Sequence, residues 1–164
     1  MSTFVPALAL WSLLAVQQGT QPLAIFAPLI GRDWVAPFSD NNVTDTQRFE
    51  WVFGDKFVRN VHHVRAGKQV VYEGETLYAW DERAKRIVWW YWNTTGGFVT
   101  GTVTVKGDGE IVSEGENHGA TNQLDRTRTV MRIGNNEWTS TGSQEKDGTW
   151  TDQPARTYKP AASR

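Results

Sequence analysis

"RIVWWYWNTTGGFVTGTVTV", Arg86 to Val105, sets four aromatic rings in a row: Trp89, Trp90, Tyr91 and Trp92. Asn93–Gly97 then breaks the run, and Val and Thr fill the residues after it. β-Branched and aromatic side chains fit a pleated surface, and Gly or Asn supplies the positive φ of a tight turn. The stretch therefore reads as a β-hairpin. A strand sends successive side chains to opposite faces, so two of the four rings point each way.

The same grammar continues in both directions. "FGDKF", "RAGKQ", "WDERAKR", "KGDGE", "RIGNNEW" and "EKDGTW" are turn signals between runs rich in Val, Thr, Tyr, Trp and Phe. About ten strands are predicted from this punctuation: 32–37, 47–54, 56–65, 68–80, 86–92, 97–105, 110–117, 125–133, 136–144 and 148–158. Evenly spaced short strands joined by hairpins make an all-β, antiparallel up-and-down barrel the expected fold, because closure removes the exposed edges. Residues 25–164 form that single domain, and 1–24 form an apolar segment before it.

The first 31 residues contain no Asp, Glu, Lys or Arg. Phe4–Val16 has the length of a signal-peptide core and is short for a bilayer span. Read as an export signal, it sends the domain to the periplasm or outside the cell, with no membrane span after processing. Read as a retained helix capped by Ser2 or Thr3, it leaves a cytoplasmic protein.

Composition narrows the chemistry. With 17 basic and 18 acidic residues the chain lacks the excess positive charge of a nucleic-acid binder. It has no Cys, which removes disulfides, thiolate zinc sites and cysteine nucleophiles. Its nine Trp suit a core with large inner surfaces, or a pocket.

Pairing the hairpins assigns faces. A two-residue turn at Ala66–Gly67 sets Val61 against Tyr72 and His62 against Val71. Tyr78 then opposes Trp89, Thr76 opposes Tyr91, and Trp89 falls beside Gly101. One face carries Arg59, Val61, His63, Tyr72, Gly74, Tyr78, Trp89 and Tyr91. The other carries Asn60, His62, Glu73, Glu75, Trp90 and Trp92. The first is more apolar and is expected to face inward, with Gly74 and Gly101 leaving room for rings. A single bulge would reverse the assignment.

"FAPLIGRDWVAPF", "TDTQRFEWVFGDKFVRNVHHV", "YEGETLYAWDERAKRIVWWYWNTTGGFVTGTV" and "DGTW" resemble a bacterial lipocalin-like family of unknown function, the DUF1579 type. The resemblance spans most of 26–158 and is strongest over 72–102. It implies a calycin-like barrel, often in exported proteins. It implies no established activity, ligand or catalytic residue.

Three functional readings stay open. The first is binding without catalysis: a small apolar or aromatic molecule among Tyr72, Tyr78, Trp89 and Tyr91, anchored through an acidic group by Arg59. A buried guanidinium needs a partner or an anion, and a ring of ten strands is wider than side chains can fill. The second is a hydratase, isomerase or cyclase, in which His62 works with Glu73 or Glu75, or His63 with a Tyr on the other wall, as acid and base. The plainer reading of Glu73 and Glu75 is the wet side of a strand. The third is a structural homodimer joined through the outer Trp face. No cofactor is expected. His62 and His63 are neighbours on one strand, point to opposite faces and cannot both ligate one ion. Arg126, Arg128 and Arg132 read as an outer row paired with Glu from a neighbouring strand.

Overall fold

A computed structural model describes residues 22–39, 42–119 and 125–162, with the backbone alone at Asp125. The expectations for Phe4–Val16 and for a cap at Ser2 or Thr3 lie outside these residues.

The architecture is a closed antiparallel barrel. Its strands are β1 (Asp33–Pro37), β2 (Val43–Val52), β3 (Phe57–Ala66), β4 (Gln69–Asp81), β5 (Arg86–Asn93), β6 (Phe98–Gly107), β7 (Glu110–His118), β8 (Asp125–Ile133), β9 (Trp138–Lys146), β10 (Thr149–Asp152) and β11 (Arg156–Pro160). Each of β1 to β8 pairs with the next, and β8 continues to β9. β11 closes the ring between β9 and β1, with Tyr158 opposite Trp138 and Trp34 opposite Pro160. The predicted strand 148–158 is thus one stave in two pieces. β10 and β11 run along the same partner, β9, and Pro154 interrupts them because it has no N–H for the ladder. Asp147 and Gly148 both have positive φ, 51° and 77°, the two-residue turn whose twist matches a hairpin.

A short 3-10 helix, Ala24–Leu29, precedes β1 and stoppers one end of the barrel. Phe26 and Leu29 are fully buried. The Phe26 ring lies 4.5 Å from Tyr78 and 6.5 Å from Phe49, centroid to centroid. Trp34 Nε1 donates to Leu29 O at 2.9 Å, so its one polar atom is satisfied within this plug. Trp138 stacks on Tyr158 at 3.9 Å and meets the edge of Phe49 at 5.8 Å. The apolar core therefore occupies one end of the lumen.

The β4–β6 register agrees with the sequence reading residue for residue. Tyr78 opposes Trp89, Thr76 opposes Tyr91, and Trp89 opposes Gly101. Trp89 and Tyr91 face inward. Trp90, Trp92 and Phe98 face outward and remain 37%, 45% and 41% exposed. Phe98 has the His118 ring stacked on it at 4.6 Å.

The β3 register is a correction. The hairpin pairs Ala66 with Gln69 around Gly67–Lys68, with Gly67 at φ 60°. That slip of two residues preserves parity. A bulge then adds one residue: Arg65 opposes Val70 but Val64 opposes Tyr72, and Val71 is left over, 52% exposed. One extra residue turns the whole strand over. Val58, Asn60 and His62 point into the barrel, while Arg59, Val61 and His63 point out.

Glycine has two kinds of work here. A Cβ on Gly74 would overlap His62 Nε2 and the Tyr91 hydroxyl, so that glycine makes room for rings as expected. Gly101 instead admits the β7 backbone at Glu114. The glycine that accommodates Trp89 is Gly115, where a Cβ would sit 2.8 Å from Trp89 Cζ2.

The outer Arg row is paired. Arg126 meets Glu145 at 3.2 Å, Arg128 meets Glu114 at 2.8 Å and Arg132 meets Glu110 at 2.8 Å. Arg126 and Arg128 also lie over the Trp150 ring of β10. Among the described residues no helix is long and apolar enough to cross a membrane.

Candidate functional site

Beyond the plug, the lumen holds a cavity of about 290 Å³. Its apolar wall includes Phe49, Tyr78, Trp89, Val99, Met131 and Trp138. Its polar wall includes Asp45, Asn60, His62, Tyr91, Arg156 and Tyr158, with hydroxyls from Ser113, Thr127, Thr129 and Ser140. The volume is near the lower edge of the roughly 300–1,000 Å³ usual for small-molecule sites.

The polar groups converge on Asp45, an inward residue of β2 that is 1% exposed. Tyr158 Oη donates to Asp45 Oδ2 at 2.7 Å, and Gln47 Nε2 donates to the same oxygen at 3.0 Å. His62 Nδ1 lies 3.3 Å from Asp45 Oδ1. Burial pulls the carboxyl pKa upward. The hydrogen bond and charge of His62, with the bonds from Gln47 and Tyr158, outweigh it and hold the pKa below the ordinary 3.8. Asp45 is therefore an anion, and an ionised carboxylate only accepts hydrogen bonds. The proton on His62 is then at Nδ1.

The other ring nitrogen looks the opposite way. His62 Nε2 is 3.0 Å from Tyr91 Oη, and Tyr91 Oη is 2.5 Å from Tyr72 Oη. When the imidazole carries only its Nδ1 proton, Nε2 has a lone pair, and in that state Tyr91 donates to it and Tyr72 donates to Tyr91. Burial, the Tyr72 bond and the Asp45 charge all push the Tyr91 phenol pKa up, so it stays neutral. Burial and the Asp45 charge do the same to Tyr158. Asp45, His62, Tyr91 and Tyr72 thus form one directed row, supplied by β2, β3, β5 and β4.

Among the described residues Arg156 is the one Lys or Arg on the cavity wall. Its guanidinium lies 4.1 Å from the centre of the Phe38 ring, beside the seam where β11 closes on β1, and near the Tyr158 hydroxyl. Among the described residues three buried donors have no partner: Ser113 Oγ and Trp138 Nε1 on the cavity side, and Arg59 Nε on the outer wall.

The residues singled out from the sequence divide. Tyr78, Trp89 and Tyr91 line the cavity, and His62 joins them there instead of on the outer face. Tyr72 stands behind Tyr91 and touches the site through it. Arg59 lies outside the barrel wall, where it pairs with Glu50 at 2.7 Å. It faces away from the lumen and cannot anchor a ligand there. Glu73 is outside as well, 3.3 Å from His63, and Glu75 lies on that same outer face opposite Val61. The acid–base pairing of His62 with Glu73 or Glu75 is therefore not formed: barrel wall separates them, and the carboxylate beside His62 is Asp45. Among the described residues no group of three His, Asp or Glu is placed to hold a metal ion.

Asp45, Gln47, Tyr158 and Arg156 were not anticipated. One signal was present: Asp45, Gln47 and Phe49 alternate with Thr46 and Arg48 at the strand period of two. No protein-family model matches the chain, and no curated protein matches it either.

Proposed function

We propose that the barrel binds a compact, ring-bearing small molecule in its lumen, with the polar part of that molecule on the Asp45–His62–Tyr91 and Arg156 side. The observation that carries this reading is the division of the cavity wall. Trp89, Trp138, Phe49 and Tyr78 supply apolar area, and polar side chains, among them Asp45, His62, Tyr91 and Arg156, line the rest. This is the usual design of a small-molecule site: apolar area supplies affinity, and sparse polar groups fix orientation. The cationic anchor in this reading is Arg156. The lipocalin-like resemblance of residues 72–102 is compatible with it.

Intrinsic fluorescence tests the proposal, because two of the described Trp, Trp89 and Trp138, line the cavity. A panel of small aromatic and cyclic compounds, half of them carboxylic acids, is titrated while emission and melting temperature are followed. A true ligand at a hundredfold excess over Kd adds about 2.7 kcal/mol of stability, several degrees for a domain of this size. A panel that moves neither signal overturns the reading.

A second reading, acid–base catalysis, is favoured by the row itself. A carboxylate that fixes a His tautomer, with that His facing a hydroxyl, is the general arrangement of a proton-transfer unit.

A further inference from the structure

We propose that the Asp45–His62–Tyr91 row relocates a proton on an enolisable carbonyl compound that bears a ring and an anionic group. This rests on the lumen being a binding site.

Three observations point to this class. The row is directional. Asp45 accepts a hydrogen bond from His62 Nδ1 at 3.3 Å, and in the neutral imidazole the Nε2 lone pair then faces the Tyr91 hydroxyl at 3.0 Å. Tyr91 lines the cavity together with Asp45 and His62, and its hydroxyl is the end of the row that we assign to the guest. The sequence keeps the contact clear: Gly74, in the middle of a strand where glycine weakens the structure, leaves the space that any Cβ would take from both groups. Finally, Arg156 supplies positive charge on the same cavity wall, and the rings of Trp89 and Trp138 supply the bed.

The step balances without a cofactor. The C–H bond beside the carbonyl breaks, and its proton passes to Tyr91 Oη. The phenolic proton of Tyr91 passes to His62 Nε2 in the same movement. The C–H electron pair becomes a C=C bond, and the carbonyl π pair moves onto oxygen. The products are an enolate and an imidazolium, the first facing Arg156 and the second paired with Asp45. Reversal returns the proton through Tyr91 to carbon, or to oxygen as the enol. A neutral phenol is suited to this role, because it acts by handing on its proton and not as a free phenolate. Tyr91 is the catalytic residue, His62 takes its proton, and Asp45 is a positioning residue.

The test is α-hydrogen exchange of phenylpyruvate in D2O, followed by NMR, with saturation-transfer contacts recorded on the same sample. Exchange should exceed the protein-free rate by at least about 100-fold, the lower end of what a positioned acid–base group contributes. Tyr91→Phe should lose that excess while the ring still shows saturation transfer. Asp45→Asn should lower exchange and move its pH profile. Arg59→Gln, on the outer wall, should leave it unchanged. Arg156→Gln should raise KM for phenylpyruvate more than it lowers kcat, and should leave KM for the uncharged ketone phenylacetone in place. Saturation transfer without catalysed exchange overturns this proposal and leaves the binding reading standing. Exchange that survives Tyr91→Phe overturns it too. Absence of both signals overturns it together with the arylpyruvate class of ligand. Melting curves of each variant separate a lost site from a lost fold.

Discussion

Tyr158, the third residue of β11, donates its hydroxyl to Asp45, the third residue of β2, at 2.7 Å. The two are 113 positions apart in sequence, and their bond ties the closing strand of the barrel to its second. Because Asp45 is charged and buried, losing this donor should cost more than an ordinary hydrogen bond: about 1.5–3 kcal/mol. Tyr158→Phe should lower the denaturant midpoint by that amount and leave the m-value unchanged. A loss below about 0.5 kcal/mol would mean that water replaces the phenol.

The same carboxylate gives stability a defined acid limb. Its folded pKa lies below 3.8, so the unfolded chain binds more protons as pH falls, and acid favours unfolding. The Asp45 contribution is complete above the unfolded value near 3.8 and is lost as pH drops through the lower folded value. Asp45→Asn should therefore be less stable than the parent at neutral pH, and the gap should close as pH falls below 3.8. Melting temperatures measured from neutral pH into that range read the difference directly. A gap that stays constant with pH would show that Asp45 is not held as an anion.

Ser113 offers the opposite case. Its hydroxyl is buried with no partner among the described residues, so it bears a desolvation cost with nothing in return. Ser113→Ala should raise stability by about 1 kcal/mol, seen as a higher midpoint in chemical denaturation. A loss instead would reveal a bound water or guest that the hydroxyl holds.

Arg59 separates the two sides of the wall. Its pair with Glu50 is solvated, with the Arg side chain 40% exposed, and such pairs contribute about 0–1 kcal/mol. Arg59→Gln should cost no more than that and should leave ligand-induced fluorescence changes intact. Arg156→Gln should leave stability nearly as it was and weaken the binding of acids. If Arg59→Gln removed binding, the face assignment of β3 would be wrong.

How far the sequence is legible follows from these positions. The β4–β6 pairings could be read because the turns between them are short and no extra residue intervenes, so Tyr78–Trp89 and Trp89–Gly101 follow by counting. Counting fails at β3, where one bulged residue at Val71 inverts Arg59 and His62 together. Asp45 was hidden in "SDNNVTDTQ", a polar run that reads as a loop until its alternation with Gln47 and Phe49 is noticed. Tyr158 was hidden by distance. Nothing local links it to Asp45, and only closure of the barrel does.

The bulge itself can be tested, because its role depends on length and not on side chain. Val71 is largely solvent-exposed, so Val71→Thr removes little buried surface and should change stability by no more than about 0.5 kcal/mol. Deleting Val71 is a different perturbation. β3 and β4 can then keep their hairpin turn only by pairing with β3 reversed, which drives Arg59 and His63 into the lumen and expels Asn60 and His62. Alternatively they keep His62 inward and break the turn at Gly67. Either outcome buries unpaired charge or forfeits ladder bonds, and should cost more than about 4 kcal/mol, in the range of exceptional single-site losses. Cooperative unfolding should weaken or vanish in the deletion and persist in Val71→Thr. A deletion variant as stable as the parent would show that β3 tolerates both faces, and would remove the reason for placing His62 beside Asp45 and Tyr91.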